Sequence, residues 1–263
     1  MKRHTDEVCM RFFFRIGLLS QQLIRSLVLF FGFLGHLGSA FRDFLLLRIT
    51  VSLMAIQKII YHSGAKIIMP LSIISLLAGM SASISARSLL ARYNLQRQAM
   101  AYAQAMLIND MLPIFIGLVL SVQTALNAID ETARIMRQQR TPDDVMTEYV
   151  LPTLFGVMLT ALLLYIYLFA ISFTSLYYSF HYLQGTNFDE YLAHLDNSFS
   201  LAEYLISLAK TLFFGAIAAF GACYYYYYVS IYRTQQRRVV SRILTRSAFW
   251  MIVMAALIKF MVV

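Results

Sequence analysis

Long apolar runs alternate with short charged intervals along this chain, and the runs have the length that a bilayer demands. A helix rises about 1.5 Å per residue and needs about 20 apolar residues to cross the hydrocarbon core. Ile67–Ala86 is such a run, with Pro70 near its start. Gln98–Ile129 is a second, broken only by Asp110. Tyr149–Phe188 contains no Asp, Glu, Lys or Arg. It exceeds one span, so its first part predicts a membrane helix and its later part an exit into solvent. Thr211–Tyr232 and Ile243–Val263 complete the set, the last with Arg246 and Lys259 near its ends. Five spans are predicted.

The stretch before Ile67 has a different pattern. Arg11, Arg15 and Arg25 punctuate an apolar series that includes Phe12, Phe13, Phe14, Leu18 and Leu23. The uncharged Ser26–Phe41 that follows has 16 residues and contains Gly32, Gly35 and Gly38. Basic residues on one side and aromatics on the other suit a helix lying in the membrane interface; a sixth span is the alternative. No small-residue cleavage site marks it as a signal peptide. The expected organisation is therefore a helical interfacial segment over 1–66 and a five-span domain over 67–263.

Composition removes whole classes of function. Of 263 residues, 60% are hydrophobic and 13% charged, about half the charge of a soluble domain. Too few polar groups remain to cover a globular surface, which excludes a soluble enzyme and a disordered regulator. The net charge of +9 does not point to nucleic acid. Nine basic residues precede residue 67 and five lie in Arg233–Arg246, beside apolar runs, as expected where loops face anionic head groups. Residues 177–203 carry Asp189, Glu190, Asp196 and Glu203 with no Lys or Arg, which suits the outer side. These loops predict an N-terminus inside and a C-terminus outside; Arg87, Arg92 and Arg97 fall on the opposite side from the rule. Cys9 and Cys223 are too few and too far apart for a disulfide framework or metal cluster. His4, His36, His62, His181 and His194 show no ligand spacing.

Asp110 is the residue that asks most of its surroundings. An ionised carboxylate at membrane depth costs about 2.5–3.5 kcal/mol on insertion scales, so it requires a cationic partner or a wet cavity. Lys210 is the only lysine between Lys66 and Lys259 and is the obvious partner. The pair can line a cavity for a lipid head group, or serve as a buried or interface-reaching ion pair. The five consecutive tyrosines Tyr224–Tyr228 point all round a helix and predict an aromatic belt at the interface. Gly79, Ser81, Ala82, Ser83 and Ser85 suit close helix contact or a lateral gate. No Gly-x-x-x-x-Gly-Lys-Ser/Thr loop occurs, and no Ser/His/Asp set is apparent.

Near the C-terminal end the residues resemble a known family. Lys210-Thr211-Leu212-Phe213-Phe214-Gly215 and Gly221-Ala222-Cys223-Tyr224 are similar to the Lys-Ser-x-x-Phe-Gly and Gly-Cys-Tyr motifs of the MlaE/YrbE permeases, the membrane subunits of ABC transporters that work with MCE-domain proteins. Tyr191-Leu192, Leu201-Ala202-Glu203-Tyr204-Leu205, Gln57, Tyr61 and Gly64 fit the same order. Asn109-Asp110-Met111-Leu112-Pro113 stands where the family reads Arg-Glu-Leu-Gly-Pro, keeping the acid and proline but not the arginine and glycine. Leu120-Ser121-Val122 replaces Ala-Gly-Arg. Of the family's cytoplasmic Glu-Gln-x-Asp-Ala-Leu stretch only Met136-Arg137 and Asp144-Val145-Met146 remain. The resemblance covers residues 55–263.

The resemblance implies an all-α integral membrane permease with a short periplasmic helix over about 187–200, in a bacterial inner membrane. It implies a second permease copy or a paralogue, a periplasmic MCE protein, and a cytoplasmic ABC ATPase that hydrolyses ATP, leaving this chain without a cofactor of its own. The cavity residues it implies are Asn109, Asp110, Pro113 and Lys210. Its coupling segment is 130–148, with Arg134, Met136, Arg137, Asp143 and Asp144; there Ile135 and Met136 are expected to enter a groove on the ATPase while the charges set register. A stand-alone secondary transporter or channel, and a non-transporting scaffold, are the rival readings. The first often carries inverted repeats, and none is evident here.

Overall fold

The computed structural model of the chain describes residues 2–46, 48, 52–93, 98–185, 187–189, 191–193, 201–232 and 239–262. Among them there is no strand. The helices are α1 (Lys2–Leu45), α2 (Leu53–Ser63), α3 (Ile68–Ala91), α4 (Ala99–Gln104), α5 (Leu112–Gln138), α6 (Pro142–Val145), α7 (Leu151–Gln184), α8 (Leu201–Tyr232) and α9 (Val239–Val262). Two wider π-helical turns, Ala105–Met111 and Met146–Val150, join α4 to α5 and α6 to α7. Residues 188–189 and 191–193 are helical, within the expected outer helix. Arg97, Glu190, His194, Asp196, Arg233, Arg237 and Arg238 lie outside the described residues, as do the side chains of His4, Cys9, Arg11 and Arg15.

Six stretches are long and apolar enough to cross a membrane: Ile24–Leu45, Leu53–Ala91, Ala99–Gln138, Pro142–Tyr182, Ala202–Tyr232 and Val240–Phe260. The protein is an all-α integral membrane protein. Each of the five runs expected from the sequence falls on one of these stretches. The sixth is the C-terminal half of α1, so by length and composition the count is six and not five.

The bundle has two ends, with α3 parallel to α7 and α5 parallel to α8. One, the Arg134 end, gathers the C-termini of α5 and α8 with residues 141–150. The other, the Glu203 end, gathers the α3–α4 connection, the start of α8 and the C-terminus of α9. The described contacts of α1 all fall at the Arg134 end. Arg25 Nε donates to Tyr232 Oη at 3.0 Å, and its guanidinium lies 4.6 Å from that ring centre. Phe33 is fully buried against Phe220, Tyr224 and Tyr227, with ring centres 5.1–5.7 Å apart. Phe44 lies 5.0 Å from Phe155 near the start of α7.

The stripe that α1 buries is Leu29, Phe33, Leu37, Ala40 and Phe44, spaced four, four, three and four residues apart, the period of one helix face. The aromatic-belt expectation for Tyr224–Tyr228 is overturned. Tyr225, Tyr226 and Tyr227 are buried: Phe33 of α1 packs on Tyr227, while Tyr226 turns inward against Tyr149.

Elsewhere, small polar residues hold the helices close. Between α3 and α7, Ser75 bonds Ser172 at 2.7 Å, Ser83 bonds Ser179, and Ser175 Oγ donates to the Leu76 carbonyl at 2.6 Å. Lipid tails are as apolar as leucine, so backbone approach and hydrogen bonds have to supply helix association. The contact stripe is Ser75, Gly79 and Ser83; Ser81 and Ser85 are exposed and take no part in it. A Cβ on Gly79 would sit 2.6 Å from Ser175 Oγ and 2.8 Å from its Cβ, whereas one on Gly35 of α1 meets nothing within 4 Å. Gly79→Ala is therefore expected to destabilise the protein by about 1–3 kcal/mol through overpacking. Gly35→Ala, which gains helix propensity of up to about 1 kcal/mol, should leave it unchanged or steadier. Thermal unfolding in mild detergent checks both.

Candidate functional site

At the Glu203 end the helix interior is opened by a proline. In the π turn the Leu112 N–H reaches back five residues to the Leu107 carbonyl. Pro113 follows and has no N–H to give, so the carbonyl four or five residues before it is short of a donor. Those carbonyls belong to Asn109 and Ile108, and both are served from α8. Ser207 Oγ donates to Ile108 O at 2.9 Å, and Lys210 Nζ donates to Asn109 O at 3.3 Å.

The same wide turn presents Asp110 to two cations. Lys210 Nζ lies 3.8 Å from Asp110 Oδ1, and Lys259 Nζ of α9 lies 2.8 Å from Oδ2. Their environments differ sharply: the Lys210 side chain is 15% exposed, that of Lys259 64% and that of Asp110 34%. Asn109 Nδ2 donates to Glu203 Oε2 at 3.5 Å. Asn109 Oδ1 is buried and accepts no hydrogen bond from the described residues. Two carboxylates, two ammonium groups and one amide oxygen with spare accepting capacity thus meet in an apolar bundle.

Of the four residues named from the sequence for this site, Asn109, Asp110 and Lys210 come together, and Pro113 is buried behind them. Glu203, Ser207 and Lys259 complete the network without having been singled out. Lys259 carried a readable signal: α9 runs antiparallel to α8, so a lysine near its C-terminus returns to the end where Lys210 starts.

The 130–148 segment occupies the opposite end. Arg134 and Arg137 are exposed on α5, and Arg134 bonds Glu131 at 3.3 Å, where Lys58 also arrives at 3.4 Å. Asp144 is used locally: Thr141 caps α6 and the two residues exchange hydrogen bonds in a capping box. Asp143 is open to solvent, 3.7 Å from His36 Nε2 of α1. Arg140 pairs with Glu148 at 3.1 Å. The expectation that Ile135 and Met136 point outward fails. Ile135 is 2% exposed and Met136 packs half-buried beside it, both in the core at that end, because the apolar face of α5 continues unbroken to its last turn. What this end offers a partner is charge.

The profile of a protein family described as Permease MlaE matches residues 56–263. The chain belongs to the MlaE permease family. The match runs from within α2 to the end of α9. No curated protein matches the chain. As an MlaE permease it is a membrane permease of an ABC-type transporter, a transporter membrane subunit and not a catalytic enzyme.

The two lysines of this MlaE permease are expected to contribute unequally. Lys210→Met strands the Asn109 carbonyl and leaves Asp110 with Lys259 alone, and should cost about 2–3 kcal/mol. Lys259→Met removes a largely exposed pair and should cost about 1 kcal/mol or less. Restoring the backbone donor with Pro113→Ala should shrink the Lys210→Met penalty, and a double-mutant cycle in detergent unfolding measures that coupling.

Proposed function

We propose that this chain is the permease subunit of an MCE-associated ABC lipid transporter in the bacterial inner membrane, with its N-terminus cytoplasmic. Two such subunits, either two copies or this chain with a paralogue, enclose a cavity that receives a phospholipid or similar amphipathic lipid. A cytoplasmic ABC ATPase supplies the stroke, and a periplasmic MCE protein exchanges the lipid.

The observation that carries this reading is the pair of ammonium groups gathered on Asp110 inside the apolar bundle of an MlaE permease. Asn109, Asp110, Pro113 and Lys210 are the cavity residues, and their chemistry suits a head group. Lysine binds phosphate as a point charge, and the unpaired Asn109 Oδ1 can accept a hydrogen bond from an ammonium or hydroxyl of the lipid. Paired charges of this kind keep the empty site tolerable at membrane depth and can be exchanged, one contact for another, when a lipid arrives.

Residues 130–148 are the coupling segment, with Arg134, Met136, Arg137, Asp143 and Asp144. Arg134, held by Glu131, and Arg137 are exposed to meet an acidic docking groove, Asp144 holds the local turn, and Met136 ties the segment to the core. Nucleotide chemistry stays with the ATPase.

The test is reconstitution of the full chain with its ATPase and fluorescent phospholipid. Lys210→Met and Asp110→Asn should abolish ATP-dependent lipid movement while the ATPase still co-purifies. Arg134→Glu combined with Arg137→Glu should weaken ATPase association about tenfold or more, since opposed charge at an interface costs both rate and specificity. Isolation of the chain with no nucleotide-hydrolysing partner under any mild condition overturns the reading.

A further inference from the structure

Arg134 is held less firmly than a single ion pair would hold it. Its Nη1 lies 3.3 Å from Glu131 Oε1, and Lys58 Nζ of α2 lies 3.4 Å from the same oxygen. A cation with a carboxylate to itself closes to about 2.7–2.9 Å. Two cations drawn to one oxygen repel each other, and here neither closes. Arg134 and Lys58 are 54% and 48% exposed, whereas Glu131, at 25%, is the most enclosed of the three.

The lysine is brought there from outside α5. Helix α2 is fastened to α7 by close packing: a Cβ on Gly156 would lie 2.9 Å from Ile59 Cγ2, and one on Gly64 2.7 Å from Thr160 Cγ2. A second polar bond, from Asn127 Nδ2 to Ser63 Oγ at 3.1 Å, joins α2 to α5. Asn127 stands one turn before Glu131 on α5, and Ser63 lies beyond Lys58 on α2, so the two helices meet antiparallel. Both polar contacts fix the approach of Lys58 to Glu131.

This arrangement decides what Arg134 can do. Alone with Glu131, its charge would be neutralised within its own helix. With Lys58 sharing the carboxylate, Glu131 stays compensated when Arg134 turns to another acid, and the guanidinium can leave without stranding a half-enclosed charge.

We propose that Lys58 is a positioning residue for coupling: by sharing Glu131 it keeps Arg134 available to an acidic docking surface on the ATPase. The inference rests on the reading of 130–148 as the coupling segment and adds to it a residue from outside that segment.

The test measures the affinity of the full-length chain in nanodiscs for the ATPase that co-purifies with it. Lys58→Met should weaken binding about twofold to fivefold, the worth of one exposed ion pair, because Arg134 then closes on Glu131. That difference should shrink at high salt. Lys58→Arg should bind as the unaltered chain does. Adding Glu131→Gln to Lys58→Met should restore binding, since Arg134 has no carboxylate left to close on. A lysine that touched the ATPase itself, or a loss of packing, would show no such rescue. Equal weakness of Lys58→Met and its double variant with Glu131→Gln therefore overturns the proposal. So does normal binding by Lys58→Met where Arg134→Glu with Arg137→Glu binds weakly, an outcome that leaves the coupling reading in place. Normal binding by all of these variants overturns both.

Discussion

A proline inside a membrane helix leaves a carbonyl that water cannot reach, and much of this molecule is arranged around that fact. In hydrocarbon each unsatisfied backbone group costs several kilocalories, so a break at Pro113 is tolerable only if another helix brings a donor. Helix α8 brings two, Ser207 and Lys210, at consecutive carbonyls. A lysine delivered for that purpose carries a charge, and the charge in turn requires Asp110. The ion pair is thus a consequence of the backbone break as much as a feature in its own right.

The same constraint acts more quietly between α3 and α7. There the donors are serine hydroxyls on facing stripes, and Gly79 gives them room to meet. Both contacts substitute directed polar bonds for the hydrophobic drive that a bilayer withholds. They differ in what they leave over. The serine hydroxyls are satisfied by each other and by backbone, so that interface is closed. The Asp110 network keeps an unpaired amide oxygen and a largely exposed lysine, which is capacity for something else.

What residue order revealed and what it hid follow from the range of the forces involved. Run length is a local property, so the spans could be placed by counting. The partnership of Asp110 with Lys210 was also legible, because membrane-depth charges are scarce and a scarce charge must find its opposite. Lys259 was harder: a lysine at a helix end has interface water as an alternative, and only the antiparallel return of α9 brings it to Asp110. The directions of Ile135 and of Tyr225–Tyr227 were hidden because inward packing at the Arg134 end is a tertiary fact: α1 meets Tyr227 there, and Tyr149 meets Tyr226. A stripe from Leu29 to Phe44 tells which face is buried but not against what.

The position of α5 links the two ends. It begins at the proline, with Pro113 in its first turn, and ends with Arg134 and Arg137 exposed beyond the core, 27 residues later. At 1.5 Å per residue it is about 40 Å long and contains no second proline or glycine after Gly117. The one wide turn in its path lies before it, between α4 and α5, so the soft point is at the charged network and the rigid rod runs away from it. Any rotation imposed on the arginine end must therefore be absorbed at residues 105–111, where the hydrogen-bond ladder is already open and where α8 holds the loose carbonyls. On the proposed reading this is what a coupling helix needs: stiffness along its length, and compliance confined to the place where a head group would be gripped or released.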